Sequence, residues 1–254
     1  MKIKVLYEDA NILVIDKPSG ILVHPAPEQA RYGAGPDEKS EEKTILDLFI
    51  KKYPKLEIVH RLDRDTSGVL ILAKNKKAHE FLKNQFSAPA LELKTKSGLA
   101  DRQNRIKKIY VAIVNGHVKN DHGIINKPIG RSPKDFRRRL AGRGARGEMR
   151  EAVTEYRVLK RFTSPQPSPY KGEGEKFTYL EVRPKTGRTH QIRGHLKFLN
   201  HPVVCDSLYN PKGLCPKSLK RLALHAQSIE FKNLKGKIVK VESPIPLQFR
   251  KVVK

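Results

Sequence analysis

The chain lacks several features that mark common protein classes. It has no tryptophan, two methionines and two cysteines among 254 residues, and only 7% of its residues are aromatic. Two cysteines, Cys205 and Cys215, cannot build a disulfide framework in so long a chain, although they could pair, and neither has a metal-ligand spacing. His190 and His195 lack the i, i+4 spacing of a helical zinc pair. These absences argue against a disulfide-rich secreted domain and against a metal site.

Long hydrophobic runs are also missing. No stretch approaches the roughly 20 apolar residues that span a bilayer. The first residues, MKIKVLYEDANILVIDK, alternate and carry charge, unlike a signal peptide. We therefore expect a cytoplasmic protein, not bound to a membrane, that uses no metal or other cofactor. A monomer is the default expectation.

Acidic residues are scarce beside basic ones. The chain has 52 Lys and Arg against 26 Asp and Glu, which gives a formal net charge of +26. Such a field attracts polyanions, of which nucleic acid is the commonest in a cell. The alternatives are a basic surface kept for solubility or a membrane-surface protein. Because the basic excess runs the length of the chain, we predict a nucleic-acid partner.

Alternating apolar residues predict strands along most of the chain, with few helices between them. Predicted helices are a short one capped by Thr44, one over 76–86, and one beginning in TGRTHQIRGHLKFLN. The predicted strands are 3–7, 12–15, GILVHP, GVLILAK, KKIYVAIVNG, FTYLEVRP, RLALHAQSIEF and GKIVKVESP. This pattern predicts an α+β fold with a mixed, mostly antiparallel sheet.

We expect a single domain over residues 1–254, interrupted by inserted loops. The predicted loops are about 26–43, 87–105, 131–151 and 163–175. The third is rich in arginine and glycine, and is read both as a flexible basic loop and as an arm that grips phosphates. Arg137, Arg138 and Arg139 are its candidate RNA contacts. The fourth is a low-complexity hairpin insert without a catalytic role.

Charged side chains are concentrated at the edge of a predicted buried strand, in VHRLDRDTSGVLILAKN at 59–75. In an extended segment Arg61, Asp63 and Asp65 share one side. A carboxylate fixed at the end of a strand is held rigidly, as a nucleophile or general base requires. The alternative is that both carboxylates form surface ion pairs worth about 0–1 kcal/mol.

A second cluster, KTGRTHQIRGHL at 185–196, predicts the start of a helix. Thr189 is a plausible N-cap, and Ile192, Leu196 and Leu199 then form one apolar stripe.

This helix would leave His190, Arg193 and Lys197 on an exposed face. Arg188 would lie at its N-terminus, where backbone amides and the helix dipole favour a phosphate. Taken alone, the segment is one more cationic helix.

The two clusters together resemble the paired signatures of the RluA-type RNA pseudouridine synthases, HRLDxxTSG followed by TGRxHQIRxH. Three further family motifs are resembled, in order, by EDANILVIDKPSGILVHP, KKIYVAIVNG and LALHAQSIEF. The resemblance spans residues 8 to 231, and the combination is specific. It implies the family's catalytic fold, with a central active-site cleft flanked by helices and loops. The chain starts directly at this fold, so we expect no N-terminal accessory RNA-binding domain.

The resemblance also implies roles for individual residues. Asp63 matches the catalytic aspartate, which attacks the ribose or the base, or takes a ribose proton, while uridine becomes pseudouridine. Tyr110 is expected to stack on the uracil, and Arg193 to pair with Asp63. Arg61 is expected to enter the space that a flipped base leaves. The remaining expected substrate contacts are Arg188, His190 and Leu196.

One position departs from the family pattern. After the helix the family usually has Gly-Asp, where this chain has Cys205-Asp206, a change expected to affect backbone freedom and not chemistry. The expected substrate is a uridine in rRNA or tRNA. Two other functions stay open at this point, namely a non-catalytic RNA-binding or remodelling protein on the same scaffold and a uracil-releasing glycosylase.

Overall fold

The computed structural model describes residues 3–25, 43–87, 105–142, 144–167 and 174–253. Its helices are α1 (Ile45–Ile50), α2 (Lys76–Ser87), α3 (Gln191–Phe198) and α4 (Leu247–Val253). Its first strands are β1 (Lys4–Glu8), β2 (Ile12–Lys17), β3 (Glu57–Ile58), β4 (Ser67–Ala73), β5 (Lys107–Asn115) and β6 (His122–Asn126). The later strands are β7 (Ile129–Arg131), β8 (Arg139–Ala141), β9 (Arg146–Arg150), β10 (Val153–Pro167), β11 (Gly174–Pro184), β12 (Leu224–Lys232) and β13 (Ile238–Glu242).

One large sheet runs through the described ranges in the order β1-β2-β4-β12-β5-β11-β10-β6. Strand β3 lies beside β4, and β13 beside β12. Strands β4 and β12 run parallel, whereas the other pairs of this sheet are antiparallel. A mixed, mostly antiparallel sheet with few helices confirms the predicted α+β class.

Strand β4 is the centre of the fold and directly follows the Asp63 segment. All seven of its residues are buried, as its unbroken apolar run predicts. Gly68, near its start, has φ +112°, and a Cβ there would collide with the backbone of Ala226 on β12. Glycine is therefore required at this position by both the backbone conformation and the close approach of two strands.

The helix α1 begins as predicted. The Thr44 hydroxyl accepts a hydrogen bond from the Asp47 amide, and the Asp47 carboxylate accepts one from the Thr44 amide, which completes a capping box. The strand predicted in GILVHP does not form. Its carbonyls at Leu22 and Val23 instead accept hydrogen bonds from Ile45 and Leu46 at the start of α1.

The helix α3 starts one residue later than predicted, because its N-cap is His190 and not Thr189. His190 is the N-cap residue, in the left-handed region with φ +54°, and its side chain makes no capping bond. The Gln191 side chain instead ties the start of the helix to the preceding chain and to β10, because its Oε1 accepts from the Arg188 amide at 3.0 Å and its Nε2 donates to the Val153 carbonyl at 3.0 Å. The terminal helix α4 was not predicted.

The segment 131–151 is not the flexible loop that its composition predicts. Strands β7, β8 and β9 form a separate three-stranded sheet there. Ile129, Ala141 and Ala152 form a small buried cluster beneath it, and the Arg139 amide donates to the Tyr209 hydroxyl at 2.7 Å. Buried apolar residues at both ends thus order a chain segment that is rich in arginine and glycine.

The other predicted inserts are mostly beyond the described residues. Residues 26–42 and 88–104 are not described, so the predictions there stay untested. Residues 168–173 of the predicted hairpin at 163–175 also lie outside the described residues. On either side of them β10 and β11 pair antiparallel, with Thr163 opposite Lys176.

Two further findings concern the absences noted in the sequence. Cys205 and Cys215 pair in a disulfide that closes a loop after α3. Among helices in the described part of the chain, none combines the length and the apolar character needed to cross a bilayer.

Candidate active site

The backbone around Asp63 is held by a buried lysine. Lys17 donates from Nζ to the carbonyls of Arg64 and Thr66 at 2.8 and 2.9 Å. Burial lowers the pKa of Lys17 to about 7, although the charges of Asp63 and Asp65 oppose this shift. The lysine therefore fixes the turn that carries Asp63 to the start of β4.

The predicted pairing of Asp63 with Arg193 is present. Nη1 of Arg193 donates to Oδ2 of Asp63 at 3.2 Å, across 130 residues of sequence. The Asp63 side chain is 18% exposed, so it is neither sealed in the core nor free in solvent. An opposite charge at this distance stabilises the ionised carboxylate.

Arg193 is buried, with 5% exposure, so the predicted exposed face of α3 is wrong at this position. Helix α3 packs against β8, β10 and β11. Arg193 itself is surrounded by Asp63, Asp206 and Tyr209, which helical periodicity alone could not show. Burial acts to lower the pKa of Arg193, but Asp206 and Asp63 outweigh it and raise the pKa.

Asp206 is not among the site residues predicted from the sequence, yet it binds the Arg193 guanidinium. Its Oδ2 accepts from Nε of Arg193 at 2.7 Å and its Oδ1 accepts from Nη2 at 2.8 Å. The ring of Tyr209 lies 5.0 Å from the same guanidinium, within cation–π distance. The only signal in the sequence was the place of Asp206 in the family's Gly-Asp pair.

Asp63, Tyr110 and Arg193 line one cavity of about 700 Å³. That volume lies within the usual range for ligand pockets. Tyr110 comes from the middle of the sheet on β5, and burial, followed by the charge of Asp63, raises the pKa of its phenol. A neutral aromatic ring is thus fixed in the same wall as the Asp63 carboxylate.

Basic side chains give the cavity a positive lining. Arg61, Arg105, Lys108 and Arg188 contribute to it. Lys108 donates to the Thr186 carbonyl at 3.1 Å, and burial together with the charge of Arg105 lowers its pKa to about 8. The cavity therefore suits an anionic ligand.

Two of the expected substrate contacts, Arg188 and His190, lie in the cavity wall. Nε of Arg188 donates to the Glu151 carbonyl at 3.0 Å. Nε2 of His190 is 3.8 Å from Oδ2 of Asp63, and burial lowers the pKa of its imidazole.

Leu196 does not line the cavity, which corrects the prediction of a substrate contact there. Its side chain is fully buried in the main hydrophobic cluster. Ile192, one turn earlier on α3, lines the cavity instead. Arg61 is exposed at the cavity, with Nη1 within 3.3 Å of Nε2 of His24.

The three candidate RNA-binding arginines lie outside the cavity wall and are not equivalent. Arg137 donates from Nε and Nη2 to Asp135, both at 3.0 Å, and Nε of Arg138 lies 3.4 Å from the same carboxylate. The hydrogen bond from Arg137 lowers the pKa of Asp135 to about 2. Arg139 instead donates from Nη1 to the Phe136 carbonyl at 3.0 Å.

In the part of the chain that the structure describes, no three or more His, Cys, Asp and Glu side chains are grouped so that they could hold an ion.

Comparison with known proteins gives a consistent result. Residues 11–198 match the family described as RNA pseudouridylate synthase. The chain is 34% identical over 99% of its length to ribosomal large subunit pseudouridine synthase D of Xanthomonas campestris pv. campestris. It is 36% identical over 97% of its length to the uncharacterised RNA pseudouridine synthase YlyB of Bacillus subtilis. It spans 68% and 70% of these two relatives.

Solved structures show the same architecture. Human RNA pseudouridylate synthase domain containing 1 aligns with a TM-score of 0.67 at 23% identity, covering 96% of this chain and 84% of that one. Human RNA pseudouridylate synthase domain containing 4 gives 0.65 at 24% identity, with 97% and 90% covered. The predicted catalytic fold is confirmed.

Proposed function

Since the chain belongs to the RNA pseudouridylate synthase family and is an isomerase that converts uridine in RNA to pseudouridine, we propose that Asp63 is its catalytic carboxylate. We further propose that the uridine lies in structured rRNA or tRNA. The observation that carries the first proposal is the 3.2 Å contact between Asp63 and Arg193 in a cavity that also holds Tyr110.

The surroundings of Asp63 suit a reactive carboxylate. Its partial burial removes much of the water that would solvate the charge, and Arg193 compensates from inside the protein. One oxygen, Oδ2, faces this guanidinium. Held in this way, the carboxylate meets the substrate in a fixed orientation, without first reorganising its own solvation.

A uridine in folded RNA must leave its stack to reach this carboxylate, which costs a few kcal/mol. The ring of Tyr110 offers a stacking surface that returns about 1–3 kcal/mol. Arg61, exposed beside the cavity, is positioned to fill the space that the base vacates. The basic lining then holds the phosphates on either side of the flipped nucleotide.

In the reaction, the N1–C1′ bond of uridine breaks, the uracil turns within the cavity, and C5 bonds to C1′. The C5 proton leaves and N1 gains a proton, so substrate and product have the same formula. Nothing is hydrolysed. Asp63 acts on the ribose or the base while Tyr110 retains the detached uracil.

The net charge of +26 and the names of the relatives support a structured RNA as substrate. Two groups of side chains can bind its backbone. These are the cavity lining and the basic sheet of β7, β8 and β9, which adjoins α3. Because aromatic residues are few, phosphate and shape recognition supply most of the affinity.

The decisive variant is Asp63→Asn, which keeps the size of the side chain and removes its charge. We expect no pseudouridine product and RNA binding close to wild type. Asp65→Asn is the matched control, since Asp65 lies two residues away and is absent from the cavity wall, and it should retain turnover. Turnover near wild type in Asp63→Asn would refute the assignment.

The substrate is identified by mapping pseudouridine across total RNA from cells with and without the gene. Sites lost from rRNA or tRNA and restored by the purified protein would support the proposal. Free uracil among the products would instead indicate a glycosylase.

A further inference from the structure

We propose that Asp206 is a positioning residue for the isomerisation, which orients Arg193 toward Asp63, and that the Cys205–Cys215 disulfide holds Asp206 in place. This inference rests on the proposed role of Asp63. Asp206 would not touch the uridine and would act only through the guanidinium.

The three nitrogens of Arg193 are divided between two carboxylates. Asp206 takes Nε and Nη2 in a two-point contact at 2.7 and 2.8 Å, which leaves Nη1 for Asp63 at 3.2 Å. A two-point contact fixes the plane of a guanidinium, whereas a single hydrogen bond lets it rotate. Asp206 therefore determines which nitrogen reaches Asp63 and from which direction.

Asp206 is itself rigidly held. Its side chain has no exposed surface, and Oδ1 also accepts from the amides of Leu208 and Tyr209 at 3.0 and 2.9 Å. The Tyr209 hydroxyl in turn contacts Nδ1 of His190 at 3.2 Å, next to Asp63. The loop after α3 thus contacts Arg193 and His190, the two side chains that lie beside Asp63.

The disulfide closes this same loop. Cys205 directly precedes Asp206 and bonds to Cys215, so the crosslinked segment contains both Asp206 and Tyr209. Cys205 has φ +57°, a left-handed conformation that glycine adopts easily and cysteine does not. The crosslink supplies a covalent restraint on this unfavourable conformation, next to the carboxylate that orients Arg193.

The charge arrangement predicts the effect of losing Asp206. In Asp206→Asn the guanidinium loses its buried anionic partner and is free to turn both edge nitrogens toward Asp63. The catalytic carboxylate would then be over-stabilised in the ground state and misplaced. Binding of RNA depends on the cavity lining and the basic sheet, so it should change little.

The test measures kcat and KM for pseudouridine formation by the full chain on an RNA that the wild type modifies. We expect Asp206→Asn to lower kcat by about 100-fold, the usual cost of misplacing a catalytic group, with KM within about threefold of wild type. Asp47→Asn is the control, because Asp47 also accepts from a backbone amide but caps α1, outside the cavity wall. It should leave both constants within about threefold.

The role of the disulfide is tested on the unmutated protein. Dithiothreitol reduces the crosslink to two thiols and is itself oxidised to a cyclic disulfide. Mass spectrometry of the protein verifies that the Cys205–Cys215 bond has been reduced. We expect kcat to fall about tenfold on reduction. Cys215→Ser should show the lower value from the outset and no response to the reductant.

The outcomes separate this inference from the proposed function. A folded Asp206→Asn with wild-type kcat would overturn the inference while an inactive Asp63→Asn still supports the catalytic role. If Asp206→Asn does not fold, the reduced wild type decides, since an unchanged kcat after complete reduction overturns the inference. An active Asp63→Asn would overturn the proposed function itself.

Discussion

The imidazole of His60 accepts a hydrogen bond from the backbone amide of Ile71 at 3.0 Å through its Nε2. Its ring also stacks on Phe86, with 4.6 Å between ring centres. An accepting nitrogen must be unprotonated, and burial, with the nearby charge of Lys108, lowers the pKa of His60 to about 3. His60, the first residue of the HRLD motif, is therefore neutral, and its hydrogen bond to Ile71 links the chain that carries Asp63 to β4.

This neutral histidine should make the protein sensitive to acid. The unfolded chain binds a proton near pH 6.5 and the folded chain only near pH 3, so the stabilisation is complete above pH 6.5 and is lost as pH falls toward 3. His225, with a pKa lowered to about 4 by burial, adds to the effect. Denaturant unfolding from pH 7.5 to 4.5 should show the decline.

His60→Gln keeps an acceptor for the Ile71 amide and removes the titrating group. We expect the free energy of unfolding to depend less steeply on pH, by up to about 1.4 kcal/mol per pH unit between 6.5 and 4.5. An unaltered slope would show that His60 does not titrate on unfolding in this range.

Tyr110 should contribute to RNA affinity through its ring. Tyr110→Ala should weaken binding of a uridine-containing substrate by roughly 5- to 150-fold, corresponding to about 1–3 kcal/mol of stacking. Tyr110→Phe keeps the ring and should bind like the wild type. Fluorescence anisotropy with labelled RNA measures both, and equal losses in the two variants would contradict a stacking role.

The arginines of the basic sheet should differ in their effect on binding. Asp135 already neutralises part of the charge of Arg137 and Arg138. Asp135→Asn should therefore tighten RNA binding and steepen its salt dependence, because each phosphate contact changes log K by about one unit per log unit of salt. Replacing Arg137, Arg138 and Arg139 by glutamine should flatten the same plot. If neither variant alters the slope, this sheet does not contact RNA.

Gly68 should tolerate no side chain. Gly68→Ala places a Cβ against the Ala226 backbone at a positive φ, and should lower the free energy of unfolding by about 3 kcal/mol or more. Gly236→Ala is the control, because Gly236 also has positive φ, +75°, but no atom lies within 4 Å of its Cβ position. Similar losses in both variants would mean that backbone strain alone, and not the contact with β12, explains the requirement.

The sequence predicted the strands more reliably than the site. The uninterrupted apolar run of β4 and the helix cap at Thr44 are local patterns, so they could be read directly. The pairing of Asp63 with Arg193 came from the family resemblance, because no local rule connects residues 130 positions apart.

Where prediction failed, the cause was tertiary packing. Periodicity placed Arg193 on an exposed face and could not show that Asp63, Asp206 and Tyr209 would surround it. Periodicity also placed Ile192 and Leu196 on one apolar stripe, in agreement with the burial of Leu196. The expected substrate contact at Leu196 came from the family resemblance, and Ile192 lines the cavity instead. Asp206 was missed because its importance lies in a contact with a side chain on another element.

The position of β12 between β4 and β5 has a consequence for synthesis on the ribosome. Strands β4 and β5 are both synthesised before β12, so neither can pair with β12 until residues Leu224–Lys232 have been made. Meanwhile β4, the most apolar of them, presents an unpaired edge that favours self-association. Nascent chains that stop short of residue 224 should therefore aggregate, and isomerase activity should arise only after β12 has been synthesised.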